Sequence, residues 1–432
     1  MKYLISLLLL IASSSTLALT FPEKYIGGQE ACLQSRHLIK QYSFRVNVPA
    51  DYKDSSKGLT SIYAWTQKPF DPNKNTMVFF TGGPGNIAHG IEFELANWNL
   101  VYFDMRGNSC SRPEKQELFE DPDFYSSHYV VYDVEAIRRY LKAEKISVYG
   151  VSYGTVPAHL YAHHFPHSTR SVVLEGVIFD GGRALIEPSN RIINLQKFFN
   201  SLSTEEQQKV LEFSRHPQIS PVWFAQVGSN MLYYDRPFDA FKRFLDIVLQ
   251  NLDSAIPLLE SFDKSTDPVD IAFGYGYMFM AMIGCQELGI TDGSLSSFAI
   301  FQGRILVPDR KNILKEQYCD WNRDFNIQTY SAANYPSKVP TFYIQGVLDG
   351  ATGYINALNH FDLAVSGSQL LLAEEGGHMP LHGGLNSGYE TAAIAKVKLR
   401  ILEQLLSGNP ILEKDIADIE EVHSLGWTLR SK

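Results

Sequence analysis

The segment GVSYG at 150–154 constrains the fold more than any other part of the sequence. An apolar run at 146–149 precedes it, and an alanine-rich segment with helical character follows at 158–164. A serine held in a tight turn between a strand and a helix has a strained backbone, so residues two before and two after it must be small. The pattern predicts a nucleophile elbow with Ser152 at its tip. The alternative is an ordinary β–α turn in which Ser152 caps the helix.

Apolar runs alternate with helical patterns along much of the chain. The runs containing TMVFF, NLVYF, ISVYG, SVVLE, FYIQG and LLLA are continuous, which is typical of strands buried on both faces by helices. Two β-rich runs, SFRVNVPADY and LTSIYAWTQ, predict antiparallel strands at a sheet edge. This order of elements predicts an α/β fold with a mostly parallel central sheet.

The same patterns divide the chain into five parts. Residues 1–18 have one positive charge, a short apolar stretch and then small residues, which predicts a secretory signal peptide, with an uncleaved anchor as the alternative. Residues 19–181 and 337–408 are expected to form the two parts of the core. Residues 182–336, with helical and aromatic-rich segments, are expected to form an inserted helical cap. Residues 409–432 are expected to be a polar, acidic tail.

Charge and composition limit the partners. The net charge is −9 and lysine and arginine do not cluster, which argues against nucleic acid as a partner. After the first residues no segment is long and apolar enough to span a bilayer, so we expect no stable membrane insertion. Hydrophobic residues make up 45% of the chain, which is enough for a packed core. The sequence does not indicate an oligomeric state.

The four cysteines form an even set in a chain expected to be exported. An oxidising compartment favours two disulfides over a metal site. Four cysteines allow three connectivities. Because Cys285 and Cys319 share the inserted region, we favour that pair, which leaves Cys32 with Cys110.

An acyl-transfer serine needs a histidine to take its proton and a carboxylate to orient that histidine. Asp349 follows the apolar run FYIQGVL and His378 follows LLLAEEGG, so both are expected on loops beyond the carboxyl ends of strands. The chain order Ser152, Asp349, His378 is typical of α/β hydrolases. His382 is a second candidate for the base.

An oxyanion hole needs backbone N–H donors near the serine. The glycine-rich segment TGGPG at 81–85 directly follows a predicted central strand. We favour the N–H of Gly83 as one donor, with Gly82 as the alternative, and the N–H of Tyr153 as the other.

In combination, GGPG, FDMRGNSCS, GVSYGT, a late aspartate and a final GGH resemble the α/β-hydrolase serine peptidases that include proline iminopeptidase and the secreted tripeptidyl aminopeptidases. The resemblance implies an α/β-hydrolase fold, a Ser152–Asp349–His378 triad and an oxyanion loop formed by the glycines at 82, 83 and 85. It also implies that Arg106 braces loops behind the site. Neither a cofactor nor a metal is implied, and the expected substrates are peptides with a free N-terminus.

Aminopeptidases of this type must hold a free α-amino group, for which a carboxylate is suited. Glu287, next to the expected Cys285 disulfide, is the first candidate, and Glu175 at a predicted strand end is the second. The expected function is release of N-terminal proline or of a short peptide such as a tripeptide. An esterase or lipase on the same fold and a non-catalytic binding protein are the alternatives.

We expect the four histidines at 159, 163, 164 and 167 to form a packed or surface face and not a metal site.

Overall fold

The computed structural model describes residues 27–28, 30, 32, 40–87, 94–181, 188–215, 235–250, 277–289, 297–300, 305–308, 319, 327–383 and 391–432. The expected signal peptide lies outside the described residues. The described strands are β1 (Tyr42–Pro49), β2 (Leu59–Thr66), β3 (Asn75–Phe80), β4 (Trp98–Phe103), β5 (Ile146–Val151), β6 (Thr169–Glu175), β7 (Ser297–Ile300), β8 (Ile305–Pro308), β9 (Thr341–Gly346), β10 (Gln369–Ala373) and β11 (Trp427–Ser431). The described α-helices are α1 (Gln116–Glu120), α2 (Ser127–Tyr140), α3 (Thr155–His164), α4 (Pro188–Ser201), α5 (Thr204–Ser214), α6 (Pro237–Gln250), α7 (Tyr277–Gln286), α8 (Tyr354–Asp362), α9 (Ala392–Leu406) and α10 (Glu413–Val422).

One mixed sheet organises the core. Within the described residues it has nine strands in the order β1-β2-β4-β3-β5-β6-β9-β10-β11. The strands from β4 to β10 in this order pair in parallel, whereas β1 with β2, β2 with β4 and β10 with β11 pair antiparallel. The predicted parallel sheet and its antiparallel edge pair are therefore confirmed.

Helices cover both faces of the sheet, which explains the continuous apolar runs. All residues of β4, β5, β9 and β10 are buried. One buried cluster joins the sheet to Val134 of α2 and Leu160 of α3, and a second joins it to Ile401 and Leu405 of α9. Such double coverage is what distinguishes a central parallel strand from a half-exposed one.

The end of the chain corrects the expectation of a polar tail at 409–432. Strand β11 pairs with β10 along its length, from Ala373 opposite Trp427 to Gln369 opposite Ser431. Helix α10 precedes it, and Ile419 of that helix is fully buried against α9. The terminal segment is therefore part of the core sheet.

The range 182–336, predicted to form a cap, contains four described α-helices, α4 to α7. It also contains the antiparallel pair β7–β8, which the sequence patterns did not indicate. Disulfides join Cys285 to Cys319 and Cys32 to Cys110, which confirms the favoured connectivity. Among the described residues, no helix combines the length and apolar character needed to cross a membrane.

Candidate active site

Ser152 lies in the one-turn connection between β5 and α3. Its φ is +56°, in the left-handed region that disfavours a side chain. The Thr155 hydroxyl donates to the Ser152 carbonyl (2.7 Å), which stabilises the turn. Such strain at a strand-to-helix turn is the backbone geometry of a nucleophile elbow.

The glycines at 150 and 154 are required by close packing in this turn. A Cβ atom at Gly150 would overlap the Gly154 carbonyl and lie 2.8 Å from the Ala158 Cβ. A Cβ atom at Gly154 would overlap the carbonyl of Phe80, at the end of β3. The steric reason inferred from the sequence is therefore present in the structure.

Asp349 and His378 form a buried pair beyond the ends of β9 and β10. The His378 Nδ1 atom lies 2.8 Å from Asp349 Oδ2, and both side chains are almost completely buried. Because a carboxylate accepts, this contact places the ring proton on Nδ1 and leaves Nε2 able to take a proton. The pair thus has the geometry of a base and its orienting acid.

Further hydrogen bonds hold the Asp349 carboxylate. Its Oδ1 accepts from the backbone N–H groups of Ala351 (2.7 Å) and Thr352 (2.9 Å). Its Oδ2 accepts from the Thr352 hydroxyl and from Gln345 Nε2, both at 2.8 Å. These donors fix the direction of the carboxylate.

Gln345 and Thr352 were not predicted from the sequence. Gln345 lies on β9 and is fully buried, and its Oε1 accepts the backbone N–H of Val177 (2.9 Å). It therefore connects the segment after β6 to the Asp349 carboxylate. A glutamine inside the apolar run FYIQG is the sequence signal that would have identified it, because a buried amide needs partners.

Two glycines bring loops close to the candidate triad. A Cβ atom at Gly82 would lie 3.0 Å from the Ser152 Cβ. A Cβ atom at Gly176 would lie 2.9 Å from His378 Cε1, and Gly176 has a φ of +64°. The loops after β3 and β6 thus pack against Ser152 and His378 at the carboxyl edge of the sheet.

The predicted oxyanion loop lies beside the serine. Gly82 is the loop glycine nearest the Ser152 side chain, whereas a Cβ at Gly83 would meet the backbone nitrogens of Gly85 (2.6 Å) and Asn86 (2.8 Å). Gly83, with a φ of +115°, lets the loop fold back on itself. The assignment of the oxyanion hole to the N–H of Gly83, with Gly82 as the alternative, and to the N–H of Tyr153 stays a prediction.

Glu287 directly follows α7, within the range expected to form the cap, and its side chain contacts α2 of the core. Its Oε1 accepts the backbone N–H of Ser127 at the start of α2 (2.9 Å), and its Oε2 accepts the Ser127 hydroxyl. The Ser127 hydroxyl also lies 2.8 Å from the hydroxyl of Tyr153, the residue after the candidate nucleophile. Burial raises the pKa of Glu287, and the hydrogen bonds from Ser127 oppose that rise.

Glu175, the second amine-binding candidate, is fully buried inside the core. Its Oε1 accepts the backbone N–H groups of Leu381 (2.7 Å) and His382 (3.0 Å), and its Oε2 accepts the Tyr149 hydroxyl. The carboxylate thus contacts the segment that follows His378.

His382, the second candidate for the base, is packed in an aromatic environment. Its ring stacks on Phe79 with centroids 5.2 Å apart. Burial lowers its pKa to about 4. The paired partner of Asp349 is His378, which favours His378 as the base.

The other histidines are not arranged as a metal centre. His159 is buried, with Nε2 lying 2.7 Å from the Tyr335 carbonyl, and His163 Nδ1 lies 2.9 Å from the Pro336 carbonyl. His164 Nε2 lies 3.0 Å from His128 Nδ1. Within the described ranges no group of three or more histidine, cysteine or acidic side chains could hold a metal ion.

Arg106 braces the loops after β1 and β4, as expected. It is fully buried, and its Nε and Nη2 donate to the two oxygens of Asp133 on α2 (2.9 and 2.7 Å). Its Nη1 donates to the carbonyls of Ala50 (2.9 Å) and Phe124 (3.1 Å). A planar guanidinium with this many partners joins separate segments rigidly.

Comparison with known proteins agrees with this geometry. The model of the α/β hydrolase fold family matches residues 75–221, a range that includes β3 to β6 and the Ser152 elbow. YuaR of Escherichia coli K12 is 28% identical over 176 residues, 31% of this chain and 35% of its own length. The proline iminopeptidase of Arabidopsis thaliana is 28% identical over 130 residues, 27% of this chain and 33% of its own length.

Serine protease Hip1 of Mycobacterium tuberculosis is 25% identical over 213 residues, 37% of this chain and 40% of its own length. The chain thus matches between a third and two fifths of the length of these relatives. Together with the sheet order, the matches place the chain among the α/β hydrolases. The partial matches to proline iminopeptidases agree with the family resemblance seen in the sequence motifs.

Proposed function

We propose that this chain is an exported serine aminopeptidase that releases N-terminal residues from peptides through an acyl-enzyme. The observation that carries the proposal is the Asp349–His378 pair, with Nδ1 and Oδ2 2.8 Å apart, at the sheet edge that also bears the strained Ser152 turn. The resemblance to iminopeptidases and to a serine protease supports peptides as substrates.

In the proposed reaction the Ser152 Oγ attacks the carbonyl carbon of the scissile peptide bond. His378 Nε2 takes the hydroxyl proton, and the Asp349 carboxylate stabilises the imidazolium that results. The backbone N–H of Gly83, or of Gly82, stabilises the oxyanion together with that of Tyr153. The C–N bond then breaks as His378 returns the proton to the leaving amine, and water hydrolyses the Ser152 ester with His378 as base.

Glu287 supplies the negative charge for the substrate's free amino group in this proposal. The location of Glu287 supports this role, because the side chain is buried where the proposed cap meets the core and is connected through Ser127 to Tyr153. Each carboxylate oxygen has two acceptor sites, so beside the hydrogen bonds from Ser127 and Ser126 an acceptor site remains for an ammonium donor. Glu175 is not part of this proposal, because its oxygens hold core segments.

Export is proposed from the pattern of the first 18 residues and from the two disulfides, which persist in oxidising compartments. N-terminal sequencing of the protein recovered outside the cytoplasm would test it. A mature chain that begins near residue 19 is expected. A chain that stays in the cytoplasm with Met1 or Lys2 at its start would contradict export.

The activity is tested by initial rates on a matched set of substrates. The set joins proline, alanine and a tripeptide to one chromogenic amine, with an N-blocked copy of each, and adds a short-chain ester. Turnover of the free-amine amides that disappears in Ser152→Ala is expected, and the best acyl group identifies one-residue or three-residue release. Serine-dependent turnover of the ester alone would instead identify an esterase.

A further inference from the structure

Glu175 is a buried carboxylate that the proposed reaction does not use. It is the last residue of β6, and its side chain is fully buried. All of its described hydrogen bonds are made to other core segments: the Tyr149 hydroxyl on β5 and two backbone N–H groups beyond β10. Burying a carboxylate is costly unless it is paired and hydrogen-bonded. A glutamate at the carboxyl end of the central strand β6 therefore needs a structural or functional reason.

The two backbone donors belong to the segment that carries His378. Leu381 and His382 follow His378 by three and four residues, and their N–H groups both point at one oxygen, Glu175 Oε1. One carboxylate oxygen thereby fixes two successive peptide groups of this segment. The hydrogen bonds span 206 and 207 residues of sequence, so they connect two strands' ends and not a local turn.

The neighbour of Glu175 contacts the imidazole itself. A Cβ at Gly176 would lie 2.9 Å from His378 Cε1 and 3.1 Å from Nδ1, so the backbone of the β6 end packs directly against the ring. The next residue, Val177, donates its N–H to Gln345, which donates to Asp349. The end of β6 is therefore connected to both members of the Asp349–His378 pair.

A buried cation lies close enough to act on Glu175. Burial raises the pKa of Glu175, while the hydrogen bonds it accepts and the positive charge of Lys398 act in the opposite direction. Lys398 is fully buried on α9. The cation thus limits the rise in the pKa of Glu175 that burial causes, and does not reverse it.

We infer that Glu175 is a positioning residue for His378, which acts by holding the backbone of residues 378–382 through Leu381 and His382. This inference rests on the proposed function, because it takes His378 to be the base that activates Ser152. Glu175 contacts no reacting atom in this scheme. Its effect comes through the orientation of the imidazole, and a small displacement of a catalytic group costs about 100-fold in rate.

The test compares Glu175→Gln and Glu175→Ala with Glu135→Gln. The glutamine in Glu175→Gln keeps the shape of the side chain and one acceptor oxygen, so we expect this variant to fold. Comparing it with Glu175→Ala separates the effect of the hydrogen bonds from that of packing. Glu135 is a matched control, because it is a buried glutamate that also accepts a tyrosine hydroxyl, that of Tyr161 (2.9 Å), but lies on α2 away from the His378 segment.

The first readout is the second-order rate at which a fluorophosphonate labels Ser152, with Ser152→Ala as the background. This probe requires an activated serine and no particular peptide. We expect a loss of about 100-fold in Glu175→Ala, a smaller loss in Glu175→Gln and the wild-type rate in Glu135→Gln. The second readout is amide hydrogen exchange of residues 377–383, which we expect to be faster in Glu175→Ala and unchanged in Glu135→Gln.

The outcomes separate the inference from the proposed function. Wild-type labelling and wild-type exchange in Glu175→Ala would overturn the inference. A loss of labelling with unchanged exchange at 377–383 would overturn it too, because the charge and not the position of the segment would then be responsible. If the wild-type protein is not labelled, the proposed serine chemistry fails, and the exchange still decides whether Glu175 holds this segment.

Discussion

Glu175 and Glu287 have the same side chain, are both buried near the candidate site, and belong to different regions. Glu175 lies at a strand end, and all its described partners are in the core. Glu287 follows α7, the last helix that the structure describes in the range 182–336, and it holds the first turn of α2 through Ser127. The comparison shows that burial of a carboxylate does not by itself identify a ligand site, since its partners decide what it does.

In the core, we expect activity to be very sensitive to substitution of Asp349, the acid of the Asp349–His378 pair. Asp349→Asn keeps the shape of the side chain but removes the charge, so the His378 ring loses its orienting acceptor. We expect kcat to fall about 10,000-fold with a small change in KM, on the free-amine amide that the wild type prefers. A decrease of less than tenfold would show that Asp349 is not the acid of the proposed triad.

We expect the terminal strand β11 to contribute to the stability of the folded core. Trp427 on β11 is 5% exposed, and its Nε1 donates to the His423 carbonyl (2.8 Å). Removing so large a buried side chain costs about 3–5 kcal/mol, so Trp427→Ala should lower the free energy of unfolding by that amount in urea titration. The exposed Leu412→Ala is the control. Equal stability of the two variants would restore the interpretation of 409–432 as a tail.

The cap–core junction should govern substrate choice more than the chemical step. Glu287→Gln removes the negative charge while keeping a partner for Ser127. We expect kcat/KM for free-amine substrates to fall about 10-fold to 100-fold, with N-blocked copies unchanged, because only the free amine uses the charge. Fluorophosphonate labelling of Ser152 should stay near the wild-type rate. Equal losses on free and blocked substrates would show that Glu287 acts through Tyr153 and does not bind the amine.

Local signals explain what the sequence could predict. Continuous apolar runs identified the central strands, and small residues around Ser152 identified the elbow, because both depend on neighbours in the chain. The partners of Glu175 and Gln345 depend on strand order and register, which no local pattern contains. Strand β11 was missed because WTLRS is a short edge strand with mostly exposed residues, so it lacks the apolar run of the central strands.

The smallest predicted effect is a pH dependence of stability at His128, where α2 contacts the segment that leads back into the core. Burial and the neighbouring His164 lower the pKa of His128 to about 4. The Nε2 of His128 lies 3.2 Å from the hydroxyl of Tyr335, where the chain returns to the core. Because the folded-state pKa is below the unfolded value of about 6.5, the neutral ring favours the folded state. This contribution is complete above pH 6.5 and is lost as the pH falls towards 4.

His128→Asn isolates this contribution, because the other titrating groups stay in place. Among them, Glu175 and Glu287 have raised pKa values and oppose the effect in both proteins. Between pH 7 and pH 4.5 we expect the Tm of the wild type to fall by about 2 °C more than that of the variant, a shift that a change of about 2 kcal/mol produces in a chain of 432 residues. Calorimetry at both pH values measures it. Parallel pH profiles for the two proteins would show that His128 is not kept neutral by folding.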